Sequence, residues 1–334
     1  MKYSIVIPVF NRPNEVRELL ESLTEQEYKN FEILIIEDGS TQSSEDVVKN
    51  YQDKLDIKYY FKENTGPGKS RNYGMKKASG DYVIFFDSDC LIPGNYLANV
   101  EKSLKKRPLD AFGGPDNAHS SFSDVQKAIN YSMTSFITTG GVRGKKSKLD
   151  NFQPRSFNMG LSREVIEKVG GFSDIHPGED PDLSYRIMDA GFKVGLIEDA
   201  YVYHKRRIDF SKFSKQVYKF GVVRVILMNW YPERTSLVYF FPAAFAFGIL
   251  GLVILSLLLN PWFVIPIILF ILILFTEALF LTKKIKIALM AIATSFIQIF
   301  CYAYGFMLSF FKIKILKRHE RTAFKSFFFD ERKN

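Results

Sequence analysis

Two rhythms of apolar residues run through the first two hundred positions. Tyr3–Val9, Phe31–Ile36, Ile57–Phe61 and Tyr82–Phe86 are short, nearly continuous apolar runs bounded by turn residues. That pattern predicts strands buried on both faces. Between them, Pro13–Leu23 places Val16, Leu19, Leu20 and Leu23 at helical spacing, and Asp46–Tyr51 and Gly68–Ala78 read as further helices. Strands alternating with helices predict an α/β fold with a mostly parallel central sheet covered on both faces. Ligands of such sheets bind beyond the carboxyl ends of the strands. Two acidic clusters fall at such ends, one at Glu37-Asp38 and one at Asp87-Ser88-Asp89.

The middle of the chain is less regular. Phe157–Ser162, Lys193–Ile197 and Ala200–His204 read as strands, and Asp182–Ala190 as a helix ended by Gly191. Thr138–Arg155 is basic, contains glycine and lacks periodicity, which suits either a binding loop or a plain connection. Phe210–Trp230 mixes lysines with aromatics, as does a helix lying on a membrane surface or one packed in a core. Then the pattern changes. Leu237–Leu259, Trp262–Leu281 and Ile287–Phe311 are almost uncharged and long enough to cross a bilayer. Glu277 is the one acid among them, expected either near the headgroups or facing a bundle interior. These shifts divide the chain into an α/β domain at 1–209, an interfacial linker at 210–236, membrane helices at 237–311 and a basic tail at 312–334, expected to be cytoplasmic.

Charge sharpens the membrane reading. The formal net charge is +9, and basic residues crowd the apolar region at Lys205-Arg206-Arg207, at Lys283-Lys284-Ile285-Lys286 and from Lys312 to Arg318. No compact nucleic-acid motif accompanies them, so nucleic acid is not an expected partner. Basic loops favour the cytoplasmic side. Three full crossings would separate Lys283–Lys286 from the tail, so two crossings are expected, with Ile287–Phe311 shallow. The two cysteines, Cys90 and Cys301, make no disulfide framework. The start, MKYSIVIPVFNRP, reads as a strand rather than a signal peptide. The expected location is therefore the cytoplasmic (inner) membrane, with the first domain facing the cytoplasm.

Candidate chemistry gathers in three places. On an extended chain Asp87 and Asp89 point to one side, an arrangement that suits Mg²⁺ or Mn²⁺, though a turn capped before Pro93 would use the same residues. Asn64–Asn72 (NTGPGKSRN) looks like a phosphate loop, but Glu63 stands where that loop requires glycine. The segment still leads into a helix N-terminus, and Arg71 is placed to meet a phosphate or to sit solvated on the helix. Gly178-Glu179-Asp180-Pro181-Asp182 opens a helix with acids, which either favour its dipole or supply a general base.

Taken in order, the pieces resemble family 2 (GT-A type) glycosyltransferases. They are Ser4–Arg12 (SIVIPVFNR), Glu37–Thr41 (EDGST), Asn64-x-Gly66 through Arg71-Asn72-x-Gly74, Gly80-Asp81-Tyr82 to Asp87-Ser88-Asp89, Gly170-Gly171-Phe172, Glu179-Asp180 and His204. The resemblance covers roughly residues 1–207. It implies a GT-A domain, a nucleoside-diphosphate sugar donor (a UDP-sugar above all), Mn²⁺ or Mg²⁺, and inversion at the anomeric carbon. Carried over, Pro8 and Asn11 shape the nucleotide pocket, Asp38 binds the donor base and Asp87 the ribose region. Asp89 holds the metal, with His204 near the metal or diphosphate, and Asp180 is the base that activates an acceptor hydroxyl. Cys90 stands where the family often has a third acid. Gln216-Val217-Tyr218-Lys219-Phe220 departs from the Gln-x-x-Arg-Trp signature of processive synthases at two positions. The expectation is therefore transfer of one sugar to a membrane lipid or lipid-linked saccharide in surface polysaccharide synthesis. The rivals are a polyprenyl-phosphate glycosyltransferase, a processive synthase and an inactive membrane scaffold.

Overall fold

The computed structural model describes residues 1–117, 122–139, 152–205 and 209–329. Residues 140–151, most of the basic glycine-containing segment, lie outside the described residues, as do Arg206 and Arg207 and the last five residues of the tail. The described chain forms two compact units. One comprises 1–117, 152–205 and 325–329; the other comprises 122–139 and 209–324.

The first unit is an α/β sandwich. Its strands are β1 (Tyr3–Val9), β2 (Phe31–Asp38), β3 (Ile57–Lys62), β4 (Tyr82–Phe86), β5 (Cys90–Leu91), β6 (Ala111–Gly113), β7 (Asp116–Asn117), β8 (Asn158–Ser162), β9 (Val194–Leu196) and β10 (Val202–His204). Seven of them form one sheet in the order β3-β2-β1-β4-β8-β6-β9. The β3-β2-β1-β4 half is parallel throughout, β8 runs antiparallel to β4 and β6, and β9 is parallel to β6. The remaining three make a small sheet in the order β5-β10-β7.

Period-two alternation explains why the central runs are apolar at every position. Ile5, Ile7, Ile33, Ile35, Ile84 and Phe86 face the helices Pro13–Thr24 and Tyr96–Lys106. Val6, Leu34, Ile36, Val83 and Phe85 face Pro67–Lys77 and Glu179–Asp189. Gly74 allows the helix Pro67–Lys77 to lie close on the sheet, since a Cβ there would come within 2.3 Å of Val6 Cγ1. Parallel strands with helices between them bring β1, β2 and β4 to a common carboxyl edge, where Asn11, Asp38 and Asp87 follow or end them.

The second unit is helical. Three of its helices are long and apolar enough to cross a membrane: Leu237–Leu258, Pro261–Thr282 and Ile285–Ile315. Phe210–Trp230 is one continuous helix of this unit, packed along Ile285–Phe310. Glycines on both sides set that contact. A Cβ on Gly221 would meet Tyr302 O at 2.2 Å, and one on Gly305 would meet Tyr218 O at 2.2 Å. The helix Asp124–Thr134 starts with a capping box, Ser123 with Gln126. Its Tyr131 and the following Ser135 donate hydrogen bonds to Glu277 Oε2, at 2.5 and 2.7 Å. The one acid of the apolar helices is thus satisfied from inside the unit.

Candidate functional site

The acidic stretch after β4 is a turn. The Cys90 N–H donates to Asp87 O at 3.1 Å, and β5 begins at Cys90. An extended chain with Asp87 and Asp89 on one side is therefore not what forms. The two carboxylates take different partners, because the turn sends them apart.

Asp89 is held by side chains on two elements. Arg12 Nη1 donates to its Oδ2 at 2.7 Å, and His204 Nε2 lies 3.2 Å from its Oδ1. The contact with His204 follows from strand register: His204 stands opposite Cys90 in the antiparallel β5–β10 pair. The Lys205 N–H then donates to Asp89 O at 3.1 Å. The imidazole stacks on Phe157, with ring centroids 4.6 Å apart. Burial alone would raise the Asp89 carboxyl, but His204 and Arg12 outweigh it and hold the group well below the usual carboxylate range.

Asp89, Cys90 and His204 bring one ligand atom each within 4.8 Å of one another. A carboxylate and an imidazole suit Mn²⁺. The buried Cys90 thiol faces the carbonyl of Phe157 at 3.6 Å, and burial pushes it well above its ordinary range. A neutral thiol is a poor ligand for so hard a cation, so Asp89 and His204 are the pair that fits.

Asp87 belongs to a second cluster. Arg71, from the helix Pro67–Lys77, is 3 % exposed along its side chain, so it is not a solvated helix charge. Its Nη2 donates to Asp87 Oδ1 at 2.6 Å, its Nη1 reaches Glu179 Oε1 at 3.3 Å, and its guanidinium lies over Phe172, 5.3 Å from the ring centroid. His176 Nδ1 is 2.8 Å from the same Glu179 oxygen. Burial raises the Glu179 carboxyl, yet His176 and Arg71 together bring it down to about 2.

Asp180 is the opposite case. Its Oδ1 is buried and has no hydrogen-bond partner among the described residues. Burial, and then the neighbouring Glu179 charge, push it up to about 6. The third acid of this turn, Asp182, pairs with Arg186 one turn later at 2.9 Å and is an ordinary helix ion pair. The acids that open this helix are therefore not equivalent.

The remaining site residues organise loops at the same edge. Asn11, in a left-handed conformation (φ 54°), accepts hydrogen bonds from the N–H groups of Thr41 and Gln42 at 2.8 and 2.9 Å. Pro8 sits beside Ile36 in the β1–β2 register. Asp38 is buried and accepts from the Thr65 and Gly66 N–H groups, each at 2.9 Å, and from Lys62. Its neighbour Glu37 is taken up by Ser40, Ser44 and Tyr59. Arg12, His176 and Phe157 enter the site without having been assigned a role from sequence. Arg12 adjoins Asn11, and His176 stands three residues before Glu179 in the turn that leads into the helix.

Comparison with known proteins bears on the family and the fold. The family model described as Glycosyl transferase family 2 matches residues 4–170. An uncharacterized glycosyltransferase of Rickettsia conorii is 44% identical over 143 residues, 42% of this chain and 23% of that protein. Glycosyltransferase AglE of Haloferax volcanii is 24% identical over 240 residues, 70% of this chain and 76% of that one. Among solved structures, the mannosyltransferase PcManGT from Pyrobaculum calidifontis, in complex with GDP-Man and Mn²⁺, aligns with a TM-score of 0.58 at 17% identity, over 93% of this chain and 87% of that one. That likeness is one of fold. The matched stretches make up 14%, 17% and 23% of the first three curated relatives.

Proposed function

The chain belongs to glycosyl transferase family 2, and from that premise we propose that it transfers one sugar from a nucleoside-diphosphate sugar to a hydroxyl of a membrane-associated acceptor, with inversion. One observation carries this reading: Arg71 joins the strand-end acid Asp87 to the helix start that presents Asp180. Two motifs distant in sequence thereby meet at one place.

In this reading the acceptor hydroxyl hydrogen-bonds the unpartnered Oδ1 of Asp180. Its oxygen attacks the anomeric carbon as the bond from that carbon to the diphosphate oxygen breaks, and its proton passes to Asp180. A base held near 6 is deprotonated at neutral pH yet retains basicity. Asp89 and His204 would hold Mn²⁺ or Mg²⁺, which when bound supplies positive charge to the departing diphosphate. Arg12, already directed at Asp89, adds a second positive charge at that end. Asp87 faces the ribose region, and Asp38 shapes the base end by pinning the Thr65–Gly66 loop, while Asn11 fixes the loop after β2 and Pro8 lines the same edge. A uridine diphosphate sugar is the first donor to try.

The acceptor is proposed to be a lipid-linked saccharide in surface polysaccharide synthesis, reached at the cytoplasmic membrane. Support for the membrane arrangement comes from the tail. Residues 325–329 pack within the same unit that holds the first strands. A chain that leaves this unit after 205 and returns at 325 crosses a bilayer an even number of times. We assign the crossings to Leu237–Leu258 and Pro261–Thr282. Ile285–Ile315, whose face of small residues is covered by Phe210–Trp230 and Asp124–Thr134, then lies in the interface. This places Lys283, Lys284 and Lys286 on the side of the catalytic unit, as the bias of basic residues favours.

Transfer assays with donor and lipid-linked saccharide test the reaction. Asp180→Asn should lower transfer to a hydroxyl by about 10²–10⁴-fold. Transfer to a polyprenyl phosphate that survives Asp180→Asn would replace the reading, since an anionic acceptor needs no base.

A further inference from the structure

The end of the described chain reaches the site from outside every motif. Lys325–Phe327 make one 3₁₀ turn, and Phe328 bridges Ile175 in antiparallel fashion. The His176 N–H donates to Phe327 O at 2.8 Å, and the Phe329 N–H donates to Asp174 O at 3.2 Å. Phe327 is 4 % exposed and Phe328 fully buried, so this is a seated strap.

Phe329 is the informative residue. Its ring lies against Gly66, where a Cβ would come within 2.4 Å of the ring carbons. The same ring is 6.1 Å, centroid to centroid, from the His176 imidazole. Gly66 donates its N–H to Asp38, and its carbonyl accepts the Ser70 N–H at 3.0 Å in the first turn of the helix that carries Arg71. His176 bears on Glu179, which bears on Arg71. The strap therefore touches both routes to one guanidinium, through the donor loop on one side and through the acidic helix on the other.

We infer that Phe327–Phe329 is a positioning element of the donor site, and that Phe329 keeps the Gly66 loop and the His176–Glu179 pair in register so that Arg71 stays on Asp87. The inference rests on the reading of this edge as the nucleotide site. It adds that a segment distant from every catalytic motif in the sequence is needed for donor binding. Packing of this kind acts by geometry, and small misplacements at a binding site are costly.

Calorimetric titration of the full-length protein in detergent, with UDP, GDP, dTDP and CDP in the presence of Mn²⁺, tests it. For whichever nucleotide the wild type binds, Phe329→Ala is expected to raise Kd about tenfold with unchanged stoichiometry, and Phe329→Leu to recover most of the loss. A Kd within about twofold of wild type in Phe329→Ala would overturn the inference and leave the donor site standing. Lower stoichiometry at unchanged Kd, the mark of a misfolded fraction, would overturn it as well. If Phe329→Ala does not yield folded protein, Phe329→Leu against wild type carries the test, with about a threefold rise in Kd expected and no rise contradicting it. A folded wild type that binds none of the four nucleotides would remove the donor-site reading, and the strap's role with it.

Discussion

His204 Nε2 lies 3.2 Å from Asp89 Oδ1, and it does so because His204 stands opposite Cys90 across a two-stranded pairing. A carboxylate that closes the β4 turn and an imidazole at the end of β10 thus come together as the pair proposed to hold the metal. Replacing His204 by alanine should weaken Mn²⁺-dependent nucleotide binding by about tenfold to a hundredfold. Equal Mn²⁺ dependence in wild type and variant would remove His204 from the ligand set.

Arg71 is buried between two carboxylates that, among the described residues, share no other ion-pairing cation. Arg71→Met leaves Asp87 without this cation and Glu179 with His176 alone, and should cost about 1–3 kcal/mol of stability, read as a fall in melting temperature. Arg71→Lys keeps the charge but cannot span Asp87 and Glu179 together, so it should fold better than the Met variant and still lose most donor affinity. Arg71→Met melting like wild type would contradict the buried-network account.

Asp180 sets a pH dependence. Its carboxyl is held at about 6 in the folded protein, and the base must be ionised to act. The transfer rate should therefore fall about tenfold per pH unit below 6. Asp180→Asn should lower transfer by about 10²–10⁴-fold. For stability the sign is opposite. A folded-state value above the unfolded one means that this group favours the fold at low pH and weakens it as pH rises through the interval from about 4 to 6. At pH 7.5 the Asn variant should accordingly melt higher than wild type. A lower melting temperature there would mean that the Asp180 charge is compensated after all.

Membrane arrangement is open to a labelling test. Single cysteines introduced at exposed Lys325 and at Lys284, in a chain without Cys301, should be reached by an impermeant reagent only from the side on which the catalytic unit lies. Cys90 is buried beneath Phe157 and serves as the unreactive internal control. Labelling of Lys325→Cys from the opposite side would require an odd number of crossings and would contradict the seating of the strap.

How much of this was legible in the residues depends on the range of the interaction. β1 and β4 coincide with the apolar runs Tyr3–Val9 and Tyr82–Phe86, because a strand buried on both faces leaves an unbroken apolar signal. The apolar face of Pro13–Thr24 is the one that its spacing implies. The helix beginning at Glu179 starts three residues before the apolar pattern does, since Glu179 is buried by ion pairing rather than by hydrophobicity. The same-side reading of Asp87 and Asp89 assumed an extended chain, and one backbone hydrogen bond to Cys90 reverses that assumption. The meeting of Asp89 with His204, and of Phe329 with Gly66, depends on tertiary pairing between distant segments, for which local pattern carries no signal. Phe327–Phe329 was hidden for a further reason. Its aromatics sit in a stretch whose basic residues make it read as a solvated tail.

The central claim is that Asp89 anchors a metal-dependent nucleotide-sugar site, and equilibrium binding tests it most directly. UDP, GDP, dTDP and CDP would be titrated into the detergent-purified full-length protein with and without Mn²⁺, for wild type and Asp89→Ala. The account predicts that one nucleotide binds the wild type, that binding requires Mn²⁺, and that Asp89→Ala abolishes it while the protein stays folded. A folded wild type that binds none of the four, or binding indifferent both to Mn²⁺ and to the loss of Asp89, would contradict it.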